Sequence, residues 1–269
     1  EKEAIEQFGF DPAKFSRGGN ASCIFCGTVA TNDYVKKEGQ AKRIDKQLIA
    51  VVCTKEGRQG KIYLSADEIP EDLIPDEKEI WKRIEKLCEE TGLTIPEEDM
   101  DTNDPTTVAG RGFGITKWHE LFTPRQLLAL LTFTKWVRKA EEEMRKEGYE
   151  DLFTKSIITN LGLLVSKMAD YNDTGCRWIV QTEAVAELLG RQAIPMVWDF
   201  AELNPFGEAG SNSYSILEAI RDSINSCNNI NHSANVLRCS ATELPYPENF
   251  FDAIITDPPY YDNISYAAL

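Results

Sequence analysis

The tightest constraint on how this chain can fold stands near its C-terminal end. Residues 235–239 (NVLRC) have strand composition. A small-residue turn and the proline-marked loop Leu244-Pro245-Tyr246-Pro247 follow. Residues 250–256 (FFDAIIT) then form a more strongly apolar run, which stops on Asp257-Pro258-Pro259-Tyr260. Ahead of both, residues 213–227 (SYSILEAIRDSINSC) carry a helical period. Helix, strand, polar turn and strand are the alternation of an α/β chain, and an apolar run with few polar interruptions is what a sheet covered on both faces requires. The two runs are expected to be adjacent parallel strands of a doubly wound sheet. They should end at one edge and bring Ser240 and Asp257 near each other, at the carboxyl ends where open sheets bind ligands.

The upstream chain has a different texture. Residues 1–20 read as a flexible lead-in through Gly18 and Gly19. Short strands are expected from Ile24 to Leu64, with QLIAVVC (47–53) and KIYL (61–64) forming a hairpin about a glycine-rich turn. In DEKEIWKRIEKLCEE, the residues Ile80, Ile84 and Leu87 share one helical stripe. Residues 95–114 have no period and many breakers, so a long loop is expected. Thr123, Pro124 and Gln126 then open a helix with a capping box and proline in the first turn, and Gly148 closes it. A second helix is expected from about Thr154 to Ala169 and a third over TEAVAELLG (182–190). Trp118, Phe122 and Trp136 read as helix core rather than a base-stacking platform. The segment YNDTGCRW is expected as a loop with Cys176 buried. His119 and His232 have no partner that would make them catalytic.

The formal net charge of −15 argues against wholesale wrapping of nucleic acid. The acidity is concentrated, however. Residues 65–104 hold fifteen acidic against four basic side chains, whereas residues 34–63 hold eight basic against three acidic. A local phosphate-facing patch is compatible with that division. No apolar stretch approaches a membrane span and no secretory signal is visible, so a cytoplasmic location with no membrane partner is expected.

The tetrapeptide at 257–260 carries the chemistry. An exocyclic amino group is a poor nucleophile because its lone pair is delocalised into the ring. Acceptors placed on its two protons return electron density to the nitrogen. Asp257 and the carbonyl of Pro258 can be those acceptors. Successive prolines at 258 and 259 stiffen the turn, and Tyr260 can stack on a base flipped out of its helix. The order of a strand, a small-residue turn, an LPYP loop and a buried strand resembles class I methyltransferases, in which one strand end meets the cofactor adenine and the next holds the catalytic tetrapeptide. Ser240 and Ala241 occupy the adenine-side turn, so a hydroxyl and backbone amides would do the binding there.

Over nearly the whole chain, KWHELFTPRQLLALLTF, MADYNDTGCRW, PMVWDFAELNPF and SATELPYPENFFDAIITDPPYYDNISYA together resemble the prokaryotic adenine-specific DNA methylases that carry domain of unknown function 1156. The resemblance implies S-adenosylmethionine as cofactor, DNA as partner and adenine N6 as target, in a defence or modification setting with partner proteins. RNA, or cytosine N4, is the alternative substrate. A non-catalytic nucleic-acid-binding module built on a zinc ribbon is the alternative from another class.

Two features complete the expectation. Such enzymes need a glycine-rich loop for the cofactor. Asn204-Pro205-Phe206-Gly207 with Gly210 is the visible candidate, but its glycine spacing is wrong and no second strand with a ribose-binding acid follows it. The chain therefore reads as an internal fragment, inactive alone and expected to bind S-adenosylmethionine weakly. Cys23-Ile24-Phe25-Cys26-Gly27 resembles a zinc knuckle with two of the four ligands that tetrahedral zinc requires. The expected organisation is a zinc-ribbon-like β segment (1–65), an acidic helix and loop linker (66–122), a helical region (123–190) and a partial methyltransferase core (191–269).

Overall fold

A computed structural model of the chain describes residues 20–23, 28–55, 60–190, 193–207, 210–228, 230, 232 and 234–258. Its architecture is mixed α/β. Among the described residues there are β1 (Ala21–Ser22), β2 (Val29–Ala30), α1 (Asn32–Gln40), β3 (Ala50–Thr54), β4 (Lys61–Ser65), α2 (Glu77–Thr91), α3 (Val108–Gly112), α4 (Pro124–Lys146), α5 (Asp151–Tyr171), β5 (Arg177–Ile179), β6 (Ala184–Ala186) and α6 (Ser213–Cys227). The strands form three separate antiparallel hairpins, β1–β2, β3–β4 and β5–β6.

Local chemistry sets the helix ends. The Thr123 hydroxyl accepts from Gln126 N while the Gln126 carboxamide accepts from Thr123 N at 2.8 Å, which satisfies two of the donors that the first turn of α4 leaves unpaired. Gly148, at φ 81°, turns the chain out of that helix. Asp76 caps α2 and Asn212 caps α6, where Asn212 Oδ1 accepts from Ser215 N at 2.8 Å.

The helices bury their apolar stripes on one another. Ile80, Ile84 and Leu93 meet Leu127 and Leu131, so α2 lies along α4. Leu130, Leu164, Met168 and Ile216 form the seam of α4, α5 and α6. Met100, Leu121, Leu188 and Ile194 make a third cluster beneath the connecting loops. Phe122 packs against all three clusters. Each fully buried Ile or Leu of this kind contributes about 1.5–3 kcal/mol.

Several segments depart from their sequence reading. TEAVAELLG holds β6 rather than a helix: Glu183 adopts φ 49°, and Val185 pairs with Trp178 across the hairpin. Tertiary pairing overrides the helical propensity of Ala and Glu there. α1 lies where short strands were expected. The stretch 95–114 is mainly loop but contains a 3-10 turn at Pro105–Thr107 running into α3. Trp118 and Phe122 pack into the core as expected, whereas Trp136 is 62 % exposed. No helix among the described residues is long and apolar enough to cross a membrane.

The largest correction concerns the sheet. Neither NVLRC nor FFDAIIT forms a strand, and the two do not pair. Val236 is 87 % exposed and Ile255 97 %. A parallel pair needs a crossover of about a dozen residues or more, usually helical. The connection from Cys239 to Phe250 is shorter, folds back on itself at Ser240–Glu243 and carries Pro245 and Pro247, which exclude a helix.

One polar clamp ties α1 to the segment after α3. Lys42 Nζ donates to Gly114 O and to Glu120 Oε1, both at 2.5 Å. Glu120 Oε2 also accepts from Thr116 N at 2.7 Å and Lys117 N at 3.2 Å. Burial opposes ionisation of Glu120, but the Lys42 ammonium and the two amides outweigh it and hold the carboxyl down at about 2. A depressed folded-state value stabilises the fold above the ordinary Glu range, and that contribution disappears as pH falls from about 4.5 to about 2. With the side chain partly solvated, the clamp is worth about 1–2 kcal/mol rather than the full shift. Glu120→Gln is therefore expected to lower the urea midpoint at pH 7 and to flatten the acid limb of stability below pH 4.5. An acid limb as steep as wild type would refute this assignment.

Candidate active-site turns

Asp257 ends an extended run, 250–257, that makes no backbone hydrogen bond to any other described residue. Its carboxylate is exposed and has no hydrogen-bond or ion-pair partner among the described residues, so it caps no loop there. Pro258 is likewise exposed, while Pro259 and Tyr260 lie outside the described residues.

Ser240 occupies a compact turn. Its carbonyl accepts from Glu243 N at 3.2 Å, its hydroxyl accepts from Thr242 N at 3.3 Å, and Ser240 Oγ and Thr242 Oγ1 are 2.8 Å apart. Ala241 is exposed beside it. The turn thus offers a hydroxyl and a free backbone edge. Its relation to the Asp257 run comes through an aromatic cluster that the sequence reading missed. Tyr246 stacks on Phe250 at 4.9 Å and meets Phe251 edge-on at 4.8 Å, and its phenol oxygen accepts from Asn235 Nδ2 at 3.1 Å. The only sequence signal for this was an aromatic between two prolines.

The Asn204–Gly207 segment does not fit a cofactor loop. Asn204 Oδ1 accepts from Phe206 N at 3.0 Å, Ser213 N and Oγ both donate to Pro205 O at 2.9 and 2.7 Å, and Asn212 Nδ2 donates to Gly207 O at 2.5 Å. The first amide of α6, Ser213 N, is thus taken up by the loop itself. Phe206 projects over it, 64 % exposed and stacked 5.5 Å from Phe133. The described residues of this loop therefore form no glycine cradle.

Cys23 follows β1, and its amide donates to Thr28 O at 2.9 Å just ahead of β2. Cys26 itself, with residues 24–27, is outside the described residues. Cys53 pairs with Ile62 in the β3–β4 hairpin. No group of three metal-ligating side chains occurs among the described residues.

The segment 172–176 encloses two strongly perturbed titratable groups. Thr174 N donates to Leu121 O at 2.7 Å, which seats this turn over the entrance to α4. Asp173 is fully buried, with Gly175 N donating to its Oδ1 at 2.6 Å and the Cys176 thiol 3.5 Å from Oδ2. Burial drives the Asp173 carboxyl up to about 6 against those two hydrogen bonds, and Asp170 adds to the rise. Burial, together with the Asp173 charge, pushes the Cys176 thiol up to about 12. Both side chains are fully buried, and these two hydrogen bonds lie within the turn. For an acid whose folded value is raised, stability is greatest below the ordinary Asp value and is lost as pH climbs to the folded one. Wild type is expected to lose about 2–3 kcal/mol between pH 4 and pH 6.5, and Asp173→Asn should remove that slope. Urea midpoints across this window decide it. An unchanged slope in the variant would mean that Asp173 is ionised throughout.

No family model, no curated protein and no solved structure matches the chain.

Proposed function

We propose that this chain is part of an S-adenosylmethionine-dependent methyltransferase acting on an exocyclic amino group, adenine N6 of DNA. The observation that carries the reading is Asp257. The carboxylate opens an Asp-Pro-Pro-Tyr tetrapeptide after an apolar run, and it is exposed and has no hydrogen-bond or ion-pair partner among the described residues. Bound cofactor supplies an electrophilic methyl group. This chain's residues act on the acceptor: Asp257 and the Pro258 carbonyl draw on the two amino protons, the Pro258-Pro259 pair limits recoil of the turn, and Tyr260 stacks on the base. Ser240 and Ala241 would contact the cofactor adenine.

The doubly wound sheet belongs to the same proposal. The exposed apolar side chains of 236–237 and 254–255 have the composition of covered strands, and their burial requires pairing with strands outside the described residues. Zinc would be held by Cys23 and Cys26 with further ligands, and the hydrogen bond from the Cys23 amide to Thr28 O supports that reading.

The test is incubation of the complete protein with isotope-labelled S-adenosylmethionine and either duplex DNA or RNA, followed by mass spectrometry of the digested nucleosides. N6-methyladenine from DNA is the expected product. N4-methylcytosine, or label in RNA alone, would correct the substrate. No label in either would overturn the reading.

A further inference from the structure

Resting on the amino-methylation reading, we propose that Tyr246 is a positioning residue, which joins the cofactor-side turn at Ser240 to the run that delivers Asp257. Asn235 precedes the turn and Tyr246 follows it. Their 3.1 Å hydrogen bond therefore closes the loop 236–245 at its base. A closed base removes loop freedom that the Ser240–Glu243 turn would otherwise have to restrict by itself. The ring of the same residue packs in the other direction. Tyr246, Phe250 and Phe251 form a mutual cluster with centroids 4.8–4.9 Å apart, and Phe250–Phe251 is edge-to-face at 87°. Such offset and edge-on pairs are the favoured aromatic geometries. Phe251 is also where the extended run toward Asp257 leaves the cluster. One side chain thus closes the Ser240 loop through its hydroxyl and packs on the start of the run toward Asp257 through its ring. No other described residue spans both.

The two connections separate experimentally. Tyr246→Phe keeps the rings and removes the bond to Asn235, and Asn235→Ala removes the same bond from its other end. Losing one neutral hydrogen bond that orders the cofactor-side turn is expected to raise KM for S-adenosylmethionine about two- to tenfold, with kcat changed less than KM. The double variant should be no worse than either single one, because both remove a single interaction. Hydrogen exchange of peptides covering 236–245 should accelerate in both single variants. It should stay unchanged in Tyr63→Phe, which removes a phenol contact to Glu183 elsewhere. Additive effects of the two substitutions, or unaltered exchange in 236–245, would overturn the proposal. Exchange requires no turnover. A complete protein that transfers no methyl group would count against amino-methylation and leave the exchange result to judge the strut.

Discussion

Asp257→Ala is expected to lower kcat for amino methylation by about two to three orders of magnitude, the range seen when one preorganised charge-stabilising contact is removed from a reacting centre. The contact strengthens as the amino nitrogen gains positive character, so it acts in the transition state, and KM for S-adenosylmethionine should hardly move. Asp257→Asn gives the contrast. A carboxamide oxygen still accepts a proton-side hydrogen bond, so this variant should retain more turnover than the alanine variant. Steady-state kinetics of the complete protein measure both. Near-normal turnover in Asp257→Ala would reduce the residue to a loop element and would remove the main support for an amino-methylation site.

Gly114→Ala should produce the largest loss of stability of any substitution considered. Gly114 has φ 91°, in the left-handed region that side chains avoid, and a Cβ there would collide with the carbonyl of Gly39. The reverse is also true: a Cβ on Gly39 would strike the Phe113 carbonyl. Two backbones touch directly at this crossing, and neither obstacle is a flexible side chain that could swing aside. Backbone strain and overpacking together are expected to destabilise by about 3–5 kcal/mol, lowering Tm by about 10 °C. Gly148→Ala is the control. Its φ is also positive, at 81°, but nothing lies within contact distance of the added carbon. Only the intrinsic conformational penalty of about 1–2 kcal/mol applies there. Equal losses at the two sites would show that the close approach of α1 to Gly114 contributes nothing.

What the sequence disclosed depended on how locally each feature is determined. The start of α4 was legible because Thr123, Pro124 and Gln126 satisfy one another within a single turn, and its end because Gly148 permits a left-handed exit. The stripe of α2 and the hairpin of β3 and β4 were legible for the same reason: period and turn chemistry act over a few residues. β6 was not legible, because Ala184–Ala186 has helical composition and becomes a strand only through pairing with Arg177–Ile179. α1 was missed because its inward face consists of Val35 and Gly39, too little for a periodic signal. At the candidate site, the tetrapeptide could be read as chemistry, but the placement of its run could not. That placement depends on strand partners and on an Asn235–Tyr246 contact across eleven residues, which leaves no trace in spacing.

The uncovered run at 250–256 has a consequence for the behaviour of the molecule at high concentration. Phe250, Phe251, Ile254 and Ile255 are 56, 44, 69 and 97 % exposed, and Asp252 is the sole charge among residues 250–256, five of which have high β-propensity. A short, nearly uncharged window of aromatic and β-branched residues is the composition from which cross-β aggregates nucleate, and a single carboxylate is a thin gatekeeper. Colloidal stability then rests on the net charge of −15, which keeps copies apart by long-range repulsion. That protection vanishes toward the isoelectric point near 4.7. Mild acid should therefore drive this chain into β-rich precipitates before it unfolds its helical core.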